Sequence, residues 1–326
     1  MLLGNICYFH NGRAIPKNTI GSVPVYGSTG IIGFTSIPLI SGESILIARV
    51  GAQCGKVQFA QGSYWVSDNT IICQPQNSNY LAKYLYYQLS TLDINSMKVG
   101  SAQPLLNSKI LSSIEIANVS LADQRHIVGT IGTIDDLIEK NKETMAELIK
   151  HALVLFGLEA TKVGTEKLGK HISFVKGKKP QLRNQKDALT YLSIDALTGQ
   201  EPVRSTSGVF CCEEDILMVM DGASSGKVFT GFRGYVGSTL AKVVTDLPAS
   251  LVYFFLYKHQ EDSMNNTKGS AIPHADKGFV GELDIPVISD SHVIDGLSTD
   301  LRLITSLRKE NEGLKRAKYT LLSKYF

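Results

Sequence analysis

Gly51-Ala52-Gln53-Cys54-Gly55-Lys56-Val57 and Gly222-Ala223-Ser224-Ser225-Gly226-Lys227-Val228 are two copies of one pattern, 171 residues apart. Both glycines, the lysine and the valine after it keep their places. The likeness extends in both directions. Upstream, Leu3-Gly4 with Gly12 returns as Leu168-Gly169 with Gly177; downstream, Gly100-Ser101-Ala102-Gln103-Pro104 returns as Gly269-Ser270-Ala271-Ile272-Pro273. Each copy then passes through a strand-like segment, Ile114-Glu115-Ile116 or Leu283-Asp284-Ile285, into a polar turn and a helix. Four matches in the same order mark a duplication, because shared composition would not preserve order.

Within each copy, short β-branched or aromatic runs such as Ile45-Leu46-Ile47-Ala48-Arg49-Val50 are bracketed by Gly, Ser and Pro, the signature of strands and turns. The Tyr- and Leu-rich stretches 80–89 and 251–257 read as one short helix per copy. The long helices carry the clearest signal. From Ile127, apolar residues fall at Ile131, Ile134, Ile138, Met145, Leu148, Ala152 and Leu155, with Asn141 at a polar seam position. Alternating steps of four and three are a coiled-coil seam. In the second copy Leu297, Leu301, Ile304, Leu307, Leu314 and Leu321 follow a less regular version, and Asn311 matches Asn141. Two such asparagines are either solvated or form a buried pair that fixes register. The reading is an α+β protein with two similar domains, 1–119 and 165–290, separated by an antiparallel coiled coil of helices 120–160 and 291–326, a pseudo-twofold internal repeat. A helix of about 35 residues is about 50 Å long, so the pair would act as a ruler between the domains.

The composition narrows the function. The 326 residues are 43% apolar and 19% charged with a net charge of +3, which excludes a disordered polyelectrolyte as the main state. No stretch approaches the roughly 20 consecutive apolar residues of a membrane span, and MLLGNICYFHNGR has no basic run before its short apolar start, so the expectation is a cytoplasmic protein without a membrane partner. Five cysteines, including the adjacent Cys211 and Cys212, and seven scattered histidines form neither a disulfide framework nor a metal-ligand spacing. No nucleophile elbow, Walker loop or zinc-protease motif occurs. The acidic pairs Asp135-Asp136 and Glu213-Glu214 read as a solvated helix face and a turn. No catalytic residue and no metal site is expected.

Charge by segment is +3 over 1–119, −2 over 120–164, −1 over 165–290 and +3 over 291–326, so no domain is uniformly basic. Yet Lys167, Lys170, Lys176, Lys178, Lys179, Arg183 and Lys186 follow one another without an intervening acid. The glycine turns lack the Gly-Lys-Ser/Thr ending of a nucleotide loop; they read as tight turns presenting Arg49 and Lys56, or Lys227, outward, where nucleic-acid phosphate fits as well as a nucleotide.

Two domains of this size, each with a Gly-x-x-Gly-Lys turn and a Gly-Ser-Ala-x-Pro segment and each followed by a long helix, resemble the specificity subunit of type I restriction-modification enzymes. The first copy resembles its target recognition domain in Tyr26 to Phe34, Ile47 to Ala52, Trp65-Val66-Ser67-Asp68, Gly100 to Pro104 and Leu121-Ala122-Asp123-Gln124-Arg125. The second departs: Tyr26 to Phe34 has no clear counterpart, Asp276 replaces Asn107, and the helix start lacks a Gln-Arg pair.

The resemblance implies a non-catalytic chain. Each domain would read one half of a bipartite double-stranded DNA target, and the helices would space the halves and dock two modification subunits that bind S-adenosylmethionine and methylate adenine; restriction subunits would join to cleave. No cofactor is expected in this chain. About 50 Å at 3.4 Å per base step is about 15 base pairs, which suits two short half-sites around an unread spacer. The DNA-binding candidates are Arg49, Lys56, Ser101 and Gln103 in the first domain and Lys178, Lys179, Arg183, Lys227 and Ser270 in the second, with Asn141 and Asn311 setting helix register. The rival readings are a nucleotide-dependent enzyme using the glycine turns, a scaffold without sequence-specific DNA binding, and the specificity part of a methylation-only system.

Overall fold

The computed structural model describes residues 1–16, 21–99, 105–181, 188–199, 202–269 and 272–326. It divides into two compact units, 1–138 with 313–326, and 139–312. The fold is α+β.

The first unit contains β1 (Cys7–Asn11), β2 (Val23–Gly27), β3 (Gly30–Thr35), β4 (Ile40–Ser41), β5 (Ser44–Ala48), β6 (Val57–Ala60), β7 (Ser63–Val66) and β8 (Thr70–Pro75), followed by α1 (Ala82–Ser90) and α2 (Ser108–Ser112). The strands form two four-stranded sheets, ordered β1-β8-β5-β6 and β3-β2-β7-β4. All five residues of β5 are buried, so its alternation serves two cores. Leu46 packs with Ala60, Tyr64, Val66 and Ile72 toward the smaller sheet. Ile45 and Ile47 pack with Ile71, Cys73, Tyr84, Leu85 and Tyr87 under α1.

The long helix α3 (Leu121–Ala160) begins at Ser120, whose Oγ accepts from the Asp123 amide at 3.1 Å and donates to the Asp123 carboxylate at 2.6 Å. Its buried Gln124 accepts from the Leu81 amide and donates to the carbonyls of Asn79 and Val119, tying the start of α1 to the helix.

The second unit repeats this plan: β9 (Thr165–Lys167), β10 (Ile172–Lys176), β11 (Leu189–Leu192), α4 (Ile194–Leu197), β12 (Arg204–Ser205), β13 (Phe210–Cys211), β14 (Ile216–Val219), β15 (Val228–Phe229), β16 (Gly234–Val236), β17 (Leu240–Thr245), α5 (Ala249–Lys258), α6 (Gln260–Asn265), β18 (Thr267–Lys268), β19 (His274–Ala275), α7 (Lys277–Glu282), β20 (Asp284–Pro286) and α8 (Ser291–Tyr325). Its sheets are ordered β10-β17-β14-β15 and β12-β11-β16-β13, strand for strand those of the first unit. In both smaller sheets the central pair, β2 with β7 and β11 with β16, is parallel.

This equivalence corrects one expectation. The segment 26–34, which finds no match in the second copy by sequence, has a structural counterpart in β11 and β12. A two-residue turn at Ser28-Thr29 joins β2 to β3, whereas residues 193–203, including α4, join β11 to β12. An insertion at a hairpin tip erases residue-level similarity and leaves strand pairing intact. Asn107 and Asp276 prove to share one role: each caps a short helix, accepting from the amides of Ile110 and Gly278.

α3 and α8 contribute to both units. In the second unit Asn141 meets Asn311 and His151 meets Asp300; in the first, Asp135 meets Lys318 and His126 meets Tyr325. Within each unit, rising numbers on α3 pair with falling numbers on α8, so the helices run antiparallel. The α3 seam buries Ile127, Ile131, Ile138, Asn141 and Ala152 as its heptads require, and adds Phe156 one turn beyond Ala152. Of the α8 seam, Leu297, Leu301 and Ile304 are buried, while Leu307, Leu314 and Leu321 are half-buried. No helix among the described residues is long and apolar enough to cross a membrane.

Candidate nucleic-acid interface

The two glycine turns superimpose in their hydrogen bonds. In the first, Gly55 N–H donates to Ala48, Cys54 to Gly51 and Lys56 to Gln53; in the second, Gly226 donates to Val219, Ser225 to Gly222 and Lys227 to Ser224. Three successive amides are therefore consumed inside each turn, which leaves them unable to cradle a phosphate in the manner of a nucleotide loop. The second glycine has a packing reason. Gly55 has φ +91° and a Cβ there would lie 2.6 Å from the Asn95 nitrogen; Gly226 has φ +96° and its Cβ would lie 2.9 Å from that of Met264.

Each turn is joined to the segment after the Gly-Ser-Ala-x-Pro motif. Leu106 donates to the Arg49 carbonyl, and Ala275 donates to that of Met220, the position equivalent to Arg49. In the second unit Gly222 N–H and the buried Ser225 hydroxyl also bond the Pro273 carbonyl, at 2.9 Å each. A third turn, residues 67–69 or 237–239, lies alongside. Arg13 and Arg49 donate their amides to Val66 and Asn69 at its two ends, as Lys178 and Met220 do to Val236 and Thr239. Gly12 and Gly177 permit this approach, since a Cβ at either would come within 2.3 Å of the neighbouring backbone. Strand end, glycine turn and loop thus converge on one edge of each unit.

At that edge in the first unit, Lys56 is exposed and its Nζ donates to the Thr29 carbonyl at 3.0 Å, clasping the β2–β3 turn. Gln58 adds a bond from Nε2 to the Gly27 carbonyl at 2.9 Å. Arg49 is half-buried rather than simply outward, and its Nε is enclosed with no hydrogen-bond partner. In the second unit Lys178 and Lys179 are exposed, and Lys227 lies 5.5 Å above the Phe229 ring. Ser101, Gln103, Arg183 and Ser270 fall outside the described residues. Sequence reasoning passed over Arg13, an exposed cation whose signal was its repeat spacing of 165 from Lys178.

The basic run of the second copy is partly neutralised. Lys167 pairs with Asp284 at 3.0 Å, Lys170 with Glu166 at 3.7 Å and Lys176 with Asp221 at 2.8 Å. Lys178 and Lys179 have no carboxylate within ion-pair distance among the described residues. Burial alone would raise the Asp221 carboxyl, but hydrogen bonds from Lys176 and His274 outweigh it and hold it below the ordinary value.

One of the two acidic pairs differs from its sequence reading. Asp135 is not a solvated face residue: it accepts from the buried Tyr87 hydroxyl at 2.7 Å and from Lys318. Glu213 lies in a turn, as its sequence implies, and accepts from Lys309. Cys211 is enclosed, and burial pushes its thiol up to about 12. The described residues contain no group of three His, Cys, Asp or Glu side chains placed to share a metal ion.

Comparison with known proteins shows what the chain is similar to. Residues 1–150 match the family model of the type I restriction modification DNA specificity domain. The chain is 28% identical over 173 residues to the type I restriction enzyme MjaVIII specificity subunit of Methanocaldococcus jannaschii, a match covering 49% of this chain and 41% of that protein. It is 26% identical over 114 residues to the EcoprrI specificity subunit of Escherichia coli, covering 35% and 28%. The matches thus span less than half the length of these curated relatives. The crystal structure of a type I restriction-modification system S subunit from M. genitalium is similar over 100% of this chain and 95% of its own, with TM-score 0.63 and 17% identity, and so shares the fold. The family match covers 150 of the 326 residues, and over the rest of its length the chain resembles a type I S subunit in fold.

Proposed function

We propose that this chain is the DNA-specificity subunit of a type I restriction-modification system. The recognition portions, 1–119 and 165–290, each read one half of a bipartite double-stranded target, and helices 120–160 and 291–326 set the spacing. The observation that carries this reading is the duplicated edge: two units of identical strand order bring the same strand end, glycine turn and loop together, and fit that edge with different side chains. Two frames of one fold with unlike tips suit two unlike half-sites, because base readout resides in the few side chains that reach the groove.

The chain itself is non-catalytic in this reading. Two modification subunits carrying S-adenosylmethionine dock on the helices, restriction subunits complete the complex, and it works in the cytoplasm. Exposed Val154 and Leu158 on α3 and Leu303 and Tyr319 on α8 support such docking, since large apolar side chains on solvent faces of long helices suit partner helices.

The test is a genome-wide map of adenine methylation with and without this gene. Loss of one bipartite motif on deletion is the expected result. An unchanged map, together with no sequence preference when the chain is reconstituted with its neighbouring modification subunits, would overturn the reading.

A further inference from the structure

The second unit holds a side-chain cluster at its recognition edge that the first unit lacks. Asp221 immediately precedes Gly222 of the glycine turn. Its Oδ2 accepts from Lys176 Nζ, at the end of β10, at 2.8 Å, and its Oδ1 faces Nδ1 of His274, the residue after the Gly-Ser-Ala-Ile-Pro segment, at 2.7 Å. One carboxylate therefore ties the end of β10 and the segment after Gly-Ser-Ala-Ile-Pro to the glycine turn. At the equivalent places the first unit has Asn11, Val50 and Leu105, none of which carries charge.

The geometry determines which end of the imidazole is available. A carboxylate at 2.7 Å makes Nδ1 the protonated nitrogen, and Lys176 already supplies the counter-charge of Asp221. With the hydrogen at Nδ1 fixed in this way, Nε2 of the neutral imidazole is the acceptor. Among the described residues, Lys268, opposite His274 in the β18–β19 pair, is bound to Asp276 at 2.9 Å, and a Cβ added at Gly269 would lie 3.1 Å from the ring carbon Cδ2. The His274 side chain is 53% exposed, whereas Asp221 behind it is 22% exposed. An imidazole fixed at one nitrogen and open at the other is a pre-oriented acceptor, and the matching donors on a DNA base edge are the amino groups of adenine N6 and cytosine N4.

We propose that His274, held by Asp221, reads an exocyclic amino group in the half-site of the second unit. Asp221 is a positioning residue and Lys176 keeps it ionised and neutralised toward DNA. This rests on the reading of the chain as a DNA-specificity subunit, and it places one base-reading group in the second half-site with no counterpart in the first.

The experiment uses the full chain assembled with its cognate modification subunits. Binding is measured on the methylome-defined target and on duplexes with each base pair of either half-site changed singly, over a range of salt. His274→Phe keeps an aromatic ring at this position and removes both nitrogens; His274→Ala is read beside it and should give the same pattern, and Asp221→Ala should give it more weakly. Expected is about a tenfold loss of discrimination at one base pair of one half-site, with the other half-site and the salt slope unchanged.

Full discrimination by His274→Phe would overturn the proposal. Uniform weakening with a salt slope smaller by about one would also overturn it, by showing a phosphate contact. If the unmodified complex showed no sequence preference, the broader reading would fail, and the inference with it.

Discussion

Asn141 donates from Nδ2 to Oδ1 of Asn311 at 3.0 Å, with both side chains buried between α3 and α8 of the second unit. Glu310 accepts from the same Nδ2 at 3.2 Å. A buried amide is stabilising only while its partners remain. Asn141→Leu should therefore lower stability by about 1–3 kcal/mol, because it removes the donor to the buried Asn311 Oδ1. Replacing both asparagines by leucine should recover the loss, since two apolar residues satisfy the seam, while giving up the register marker proposed for the pair. Thermal unfolding of the single and double variants checks this; a double variant less stable than Asn141→Leu would contradict it.

The glycine turn supplies a comparison between two positions in one loop. Gly51 has φ +77° and open space around its missing Cβ, whereas Gly55 has φ +91° and a backbone nitrogen 2.6 Å from it. Gly51→Ala should cost about 1–2 kcal/mol from left-handed strain alone. Gly55→Ala should cost about 2–5 kcal/mol, because the Asn95 turn must also shift. Denaturant unfolding of both variants tests the order, and equal losses would show that the close approach is not a constraint.

Asp215 and Lys242 lie 2.7 Å apart in the second unit, with both side chains largely covered. Burial would raise the Asp215 carboxyl, but hydrogen bonds from Lys242 and from the Cys212 amide and thiol hold it below its ordinary value. A folded value below the unfolded one gives stability that is present above about pH 4 and lost as pH falls through the folded value. Asp215→Asn should therefore lower stability at neutral pH and reduce the loss on acidification. Unfolding midpoints at pH 7 and at about pH 3 measure both effects, and parallel acid losses in the two proteins would reject the assignment.

Lys227 lies over the Phe229 ring, at the second glycine turn. If its ammonium neutralises a DNA phosphate, Lys227→Ala should weaken binding to all sequences alike and reduce the salt slope by about 0.9. Affinity measured against salt on matched and mismatched duplexes is the check. An unchanged slope would exclude phosphate contact.

Much of the plan was legible in the sequence. The duplication showed itself in glycines at Gly12, Gly55, Gly177 and Gly226, where close backbone approach or positive φ restricts the residue type. The antiparallel helices showed themselves in heptads from Ile127 and in the match of Asn141 with Asn311, because a seam buried along one face imposes its own period. The counterpart of Tyr26 to Phe34 was hidden, since β11 and β12 are held by backbone hydrogen bonds, which do not depend on side-chain identity.

The sequence by itself determined the two copies, their order and the helices that follow them, because these rest on local rules: turn chemistry, strand alternation and heptad spacing. Tertiary structure decided which charges remain free to meet a polyanion. Lys176 is bound by an aspartate 45 residues away, Asp135 by a lysine 183 residues away, and His274 by an aspartate 53 residues upstream. Such pairings depend on which distant segments the fold brings within about 3 Å, and the strength of an ion pair falls with separation in space rather than along the chain.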